Sequence, residues 1–407
     1  MDEATFKRLV GEFLLPMFPG ASLGLGASLR PRVRQTVSYS KAGGGSQLLL
    51  RPDSKASFEF AISRSQKFGQ ADLDLARAFV RGAADVADAI QKPFEAEVLR
   101  NLPLRVVALA AGGTGQAALL AVLEKFSAWA AEQYEGRPIV AAVGIDPSAS
   151  GTVDIASVWK EVFAPVLTNG LDTILVVDAN SRVAELLAAA IPSKAPPSFS
   201  PSRYRSIAEW ATGERIAVSL NRNGEILVFR DQSLRFTLRA GIWQHFTHQA
   251  TLSAIHLPHK RSVKQALYET LLDVSFARSG GCLAVVDEAN RHTLINLVSP
   301  ADFLVPTPPA TQSTKGELIF TAVGRDFTQL DRRVRAELLA LDGATIIDHL
   351  GTLLAVGAIV RIQAGSTAGG RLAAAKTLAR LGLGVKISQD GQVRGFDSST
   401  NEVFTFG

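Results

Sequence analysis

The chain has 407 residues, 47% of them hydrophobic and 20% charged, with a formal net charge of +5. This excludes a disordered or low-complexity protein and allows two or three domains with cores of their own. The basic excess is small for the length; it suits phosphate-bearing small molecules and does not call for nucleic acid as a partner.

The opening stretch MDEATFKRLVGEFLLPMFPG carries early acids and lacks a long apolar run, unlike a secretory signal. No segment reaches the roughly 18 uncharged apolar residues of a spanning helix, so no membrane contact is expected. Cys282, the single cysteine, cannot form an intramolecular disulfide and reads as a buried, inert thiol in GGCLAVV. A cytoplasmic protein is the expectation.

In chain order, a helix is predicted over ATFKRLVGEFLL and strands around QTVSYSK and SQLLLRP. A long helix follows over QADLDLARAFVRGAADVADAIQKPF, with apolar residues recurring at near-helical spacing from Leu73 to Ile90. Over 104–190 strand and helix alternate. LRVVALAA, RPIVAAVGID and DTILVVDA read as strands; GQAALLAVLEKFSAWAAEQY, IASVWKEVFAPVL and RVAELLAAAI read as helices. This predicts an N-terminal α/β domain over 1–190 built on a doubly wound parallel sheet. Ligands would then sit at the carboxyl ends of its strands, at AGGTGQ (111–116), GIDPS (144–148) or DANS (178–181).

IPSKAPPSFSPSRYRS, 191–206, is a Pro/Ser-rich linker. Over 207–258 a small antiparallel β module and connector is expected, with a hairpin at Asn223-Gly224. The pairs His245/His248 and His256/His259 have spacing that could hold zinc, but they lack cysteine partners and lie in a connecting stretch. The basic cluster in RDFTQLDRRVR reads as a solvated face. A third domain spans 259–407, α/β with a mixed sheet: SVKQALYETLLDVSFARS, RRVRAELLALDG and GGRLAAAKTLARLG as helices, GGCLAVVDE, ATIID, LLAVGAIVRI, GVKISQD and QVRGFDS as strands.

Three loops of this last domain carry chemistry. Asp342-Gly343-Ala344 lies between a helix and a strand, where glycine lets backbone approach a ligand and the carboxylate suits a metal or hydroxyl. GSTAGGR (365–371) precedes a helix, so Ser366, Thr367, Gly369 and Gly370 offer small side chains and exposed N–H groups. Arg371 falls in the first helical turn, where the helix dipole opposes it, and a phosphate contact would explain its place. Ser388 closes a strand and could donate a hydroxyl to the same phosphates.

In that order, ALYETLLDVSFARSGGCLAVVDE, LLALDGATIIDHLGTLLAVGAIV and GGRLAAAKTLARLGLGVKISQDGQV make the region from about 262 to 396 resemble a diadenylate cyclase domain, the nucleotide-binding domain of the DNA-integrity scanning protein and its relatives. The resemblance implies synthesis of cyclic di-AMP from two ATP in a self-associated pair of domains, each holding one ATP and a divalent metal, Mg2+ or Mn2+. It implies that Asp342 contacts the ribose hydroxyl or metal, that Gly343 and Ala344 shape the pocket, that Arg371 grips phosphate, and that Ser388 contacts it. The family's Arg-His-Arg motif reads Arg371-Leu372-Ala373 here, so the histidine and second arginine are missing. Lys376 and Lys386 are nearby candidates for the lost charge and read as surface lysines. The N-terminal domain would be a sensor that sets how the cyclase domains pair. The alternative is a catalytically degenerate regulator that binds a nucleotide or cyclic dinucleotide. A nicotinamide oxidoreductase would need a dinucleotide fingerprint that the N-terminal sheet lacks.

Overall fold

The computed structural model describes residues 1–25, 35–40, 43–87, 90, 95–190, 199–255, 261–305, 313–324, 326–362 and 369–407, and counts and absences below refer to these residues. The chain divides into two compact units, Met1–Thr247 and His248–Gly407. Among the described residues no helix is long and apolar enough to cross a membrane.

The first unit opens with helix α1 (Glu3–Leu9), whose Thr5 N–H is capped by the Asp2 carboxylate at 2.8 Å. Strands β1 (Ser22–Leu25), β2 (Val37–Tyr39), β3 (Gln47–Leu50) and β4 (Phe60–Ser63) form an antiparallel sheet in the order β1-β4-β3-β2. Three long helices follow: α2 (Gln70–Val86), α3 (Glu95–Ala111) and α4 (Gln116–Trp129). The strand expected at 104–111 is therefore the second half of α3. An eight-residue apolar run does not by itself distinguish a buried helix from a strand. AGGTGQ consequently joins two helices and is not at the carboxyl end of a strand.

The short pair β5 (Gln133–Tyr134) and β6 (Arg137–Pro138) leads into an eight-stranded sheet. Its members are β7 (Ala141–Ile145), β8 (Val153–Asp154), β9 (Thr173–Val177), β10 (Arg182–Ala188), β11 (Ile216–Leu220), β12 (Ile226–Arg230), β13 (Ser233–Arg239) and β14 (Ile242–His245), in the order β14-β13-β12-β11-β7-β9-β10-β8. Helices α5 (Ile155–Val158) and α6 (Arg205–Trp210) are short. Only β7 and β9 pair in parallel. The doubly wound parallel sheet is thus corrected to a mixed, mainly antiparallel one. The helix expected over 182–191 is instead β10, paired antiparallel with β9. The turn between them is DANS. Its Asp178 carboxylate accepts the N–H groups of Gly151, Asn180 and Arg182. Burial would raise the Asp178 pKa, and these backbone bonds outweigh it and lower it. In GIDPS, Asp146 likewise accepts Ser148 N–H and hydroxyl. Both carboxylates serve turns.

The Asn223-Gly224 hairpin forms as expected, with Gly224 at φ +72°. It is not a separate module: β11 pairs along β7, so the strands of 207–246 complete the same sheet. The unit is closed by a buried network. Asp72 in α2 is fully buried and accepts Arg64 Nη2 at 2.6 Å, Gly69 N–H at 2.8 Å and the Thr247 hydroxyl at 2.7 Å, and pairs with His245 Nδ1 at 3.1 Å.

The second unit contains α7 (His248–Ala254), α8 (Arg261–Ala277), β15 (Gly281–Val286), α9 (Leu294–Leu297), α10 (Thr314–Val323), α11 (Arg332–Ala340), β16 (Ala344–Asp348), β17 (Leu353–Ala358), α12 (Gly370–Ala379), β18 (Gly382–Ile387), β19 (Val393–Phe396) and β20 (Glu402–Phe406). The strands form one mixed sheet in the order β17-β16-β15-β18-β19-β20, with β15 and β16 parallel and the other pairs antiparallel. One face is covered by α12, and Cys282, Ala284 and Val286 of β15 share a core with Ala375, Leu378 and Ala379 of that helix. Helices α8 and α11 are tied together by Arg332 to Asp273 at 2.6 Å and Arg335 to Glu269 at 2.9 Å. Arg335 is buried, so the basic cluster read as a solvated face is in part an internal ion-pair seam.

Candidate functional site

Two of the three loops expected to converge meet at the amino ends of β15 and β16, in the part that the described residues cover. Asp342, Gly343, Ala344, Gly369, Gly370 and Arg371 all line one cavity of about 590 Å³. That is within the ordinary range for a small-molecule site.

Its floor is a row of side chains across four strands. Lys386 of β18 faces Cys282 of β15 in register, and Ala344 of β16 faces Ala358 of β17. Leu283 pairs with Thr345, which brings Cys282 beside Ala344. Small side chains leave the volume open. One wall is the start of α12. The opposite wall is the bend between α11 and β16. There Gly343 sits at φ +97°, and a Cβ would come within 2.5 Å of Gly357 backbone, so only glycine fits.

Asp342 is exposed, and its carboxylate accepts the neighbouring Gly343 N–H at 3.0 Å. Arg371 and Lys386 are half-buried, and neither makes a hydrogen bond or ion pair with a described residue. Arg371 folds over the turn before β15: a Cβ on Gly280 would lie 2.6 Å from its Nη1. Cys282 is buried, and burial pushes its thiol up to about 12 despite the nearby Arg371 charge, so it stays protonated and unreactive.

Ser388 is not in the cavity wall; it lies in the turn after β18, where its backbone pairs with Gln392 and Gly391. Ser366 and Thr367 lie outside the described residues, as do His256 and His259. His245 is engaged by Asp72 and His248 by the Tyr268 hydroxyl at 2.6 Å, which accounts for both as internal hydrogen-bonding groups. Lys376 is exposed and its ammonium lies 5.4 Å from the Phe396 ring, away from the cavity lining. Lys386, read from the sequence as a surface lysine, and Cys282, read as an inert core thiol, both line the cavity. Leu372 also lines the cavity and Ala373 is buried, so the positions of the missing histidine and second arginine offer it no charge.

Among the described residues no three His, Cys, Asp or Glu side chains gather as a metal cage. Asp342 is the one acid of the cavity lining. A single carboxylate fits Mg2+ or Mn2+ only in the manner of nucleotide sites, where substrate phosphates and water complete the shell.

No family model and no curated protein matches this chain. Among solved structures, a double-cysteine variant of DacA from Staphylococcus aureus aligns over 35% of this chain and 87% of its own, with 15% identity and a TM-score of 0.23.

Proposed function

We propose that the His248–Gly407 unit binds ATP and condenses two ATP into cyclic di-AMP. One observation carries this reading: Asp342-Gly343-Ala344 and Gly369-Gly370-Arg371, the two motifs that resemble the diadenylate cyclase pattern, line a single cavity with a carboxylate on one wall and, on the other, a guanidinium that has no partner among the described residues. In the reaction, the ribose 3′-oxygen of each nucleotide forms a bond to the other's α-phosphorus. Each α–β phosphoanhydride bond breaks, and two pyrophosphates leave with the hydroxyl protons lost to solvent. Arg371 would offset charge on the phosphates, and Asp342 would orient the attacking hydroxyl or hold the cation. A divalent cation, held by Asp342 and the phosphates, would neutralise charge that develops on the α-phosphate.

Self-association belongs to the proposal. Leu341, Ile359 and Ile362, at or beside the cavity mouth, are large apolar residues with 45%, 64% and 41% exposure. An apolar rim of this kind suits contact with a second copy of the chain. On domain order alone, the Met1–Thr247 unit is taken as the part that controls pairing.

Incubation of the full chain with ATP and Mg2+ or Mn2+, with products separated by mass, tests the chemistry. Cyclic di-AMP supports the cyclase. Tight ATP binding without product under either metal would favour a nucleotide-binding regulator, and the uncharged Leu372 and Ala373 are the observation behind that second reading.

The turn before β15 offers a further check. Gly280→Ala places a Cβ against Arg371 and at φ +68°, where a side chain costs about 1–2 kcal/mol. We expect ATP affinity to fall about tenfold and unit melting to drop a few degrees. Unchanged affinity would take Arg371 out of nucleotide binding.

A further inference from the structure

Strand β18 carries Gly382, Gly384 and Lys386 on one face, because side chains alternate along a strand. That face is the one beneath α12: a Cβ at Gly384 would lie 1.9 Å from Ala375 backbone oxygen. Lys386 therefore rises from the covered face of a central strand, opposite buried Cys282. A lysine at such a place is ordinarily paired, since a partly desolvated ammonium without a counter-charge is unfavourable. Lys386 has no partner among the described residues, and neither has Arg371 across the same cavity. Two like charges thus share about 590 Å³ with one lining acid, Asp342. The charged groups of the lining therefore sum to a net positive charge that an anionic ligand would offset.

We propose that Lys386 binds the β- or γ-phosphate of the nucleotide and supplies the cation that Leu372 and Ala373 do not. This rests on the nucleotide reading above and deepens it: the ligand is a nucleoside polyphosphate, held by Arg371 from the helix side and by Lys386 from the sheet. Lysine suits this role as a compact charge on a four-carbon stem, reaching up from a floor of small residues. Lys376, the other candidate, is exposed and sits by Phe396, outside the lining.

The test measures ATP, AMP and adenosine binding by calorimetry for the full chain and its Lys386→Met, Lys386→Gln and Lys386→Arg variants. A charge-assisted bond predicts that both neutral variants bind ATP about 10- to 100-fold more weakly, with adenosine affinity held within about twofold. Lys386→Arg is expected to retain most of the ATP affinity, which also guards against one neutral variant failing to fold. The preference for ATP over AMP should shrink in the neutral variants. Equal ATP affinity in wild type and the neutral variants overturns the role of Lys386 and leaves the nucleotide reading standing. Parallel loss of ATP and adenosine affinity assigns Lys386 to structure and overturns it as well. Wild type that binds none of the three sinks the nucleotide reading itself, and this inference with it.

Discussion

Asp342→Asn is expected to lower cyclic di-AMP formation by at least about 100-fold while leaving the melting temperature within about 1 °C. The two halves of that result have separate physical origins. Asp342 is exposed, and its carboxylate makes one hydrogen bond, to Gly343 N–H, which the asparagine carbonyl can also accept. The fold therefore loses little. What disappears is the one negative charge of the cavity lining, and with it the group placed to orient a hydroxyl or hold a cation against phosphate. Removal of one such group from a preorganised site typically costs two to three powers of ten in rate. ATP affinity, which the proposal assigns to Arg371 and Lys386, should change only a few-fold, so the loss should appear in turnover. Product formation at the wild-type rate would place the reaction elsewhere.

The largest stability effect is expected in the first unit, at Asp72→Asn. Asp72 is fully buried and is shared by Arg64, Gly69, His245 and Thr247. Asparagine removes the charge and turns an amide N–H toward groups that donate. Arg64, itself 8% exposed, is left as a buried cation without its carboxylate. Breaking a buried pair on one side costs about 3–5 kcal/mol, or roughly 10 °C for a unit of this size. A shift below about 2 °C by calorimetry would show the network to be dispensable. Acid should act on the same group. Burial alone would raise the Asp72 pKa; the hydrogen bond from His245 and the charge of Arg64 outweigh it and hold the carboxyl at about 2, against an ordinary 3.8. Because the folded value is depressed, this stabilisation is present above about pH 4 and is lost as pH falls towards 2. It amounts to about 2 kcal/mol. The melting temperature of Asp72→Asn should therefore depend less on pH across that window than that of the wild type.

Long periodic segments were legible in the sequence, as α2, α4, α8 and α12 show. The runs at 104–111 and 182–188 were not. Each is a short Ala/Leu/Val-rich stretch whose state is decided by distant partners: α3 packs against α2 and α4, and β10 pairs with β9 through a turn fastened by Asp178. The pairing of β11 with β7, which merges the expected β module into the main sheet, is equally non-local. Asp342 and Arg371 were readable because each lies in a short motif with a physical rationale. Lys386 was readable only as one of two candidate cations beside Lys376, because a lysine in GVKISQD reads as the solvent side of a strand. Only the position of α12 reveals which side is covered.

The floor of Lys386, Cys282, Ala344 and Ala358 also has a consequence for the mechanics of the sheet. A molecule resting there touches four strands at once, and a one-residue slip of β18 would turn Lys386 to the other face and leave a hole. Occupancy would therefore act as a clasp on strand register. Amide hydrogen exchange at the ends of β15 to β18 should slow when ligand is added, with the distal pair β19 and β20 changing less.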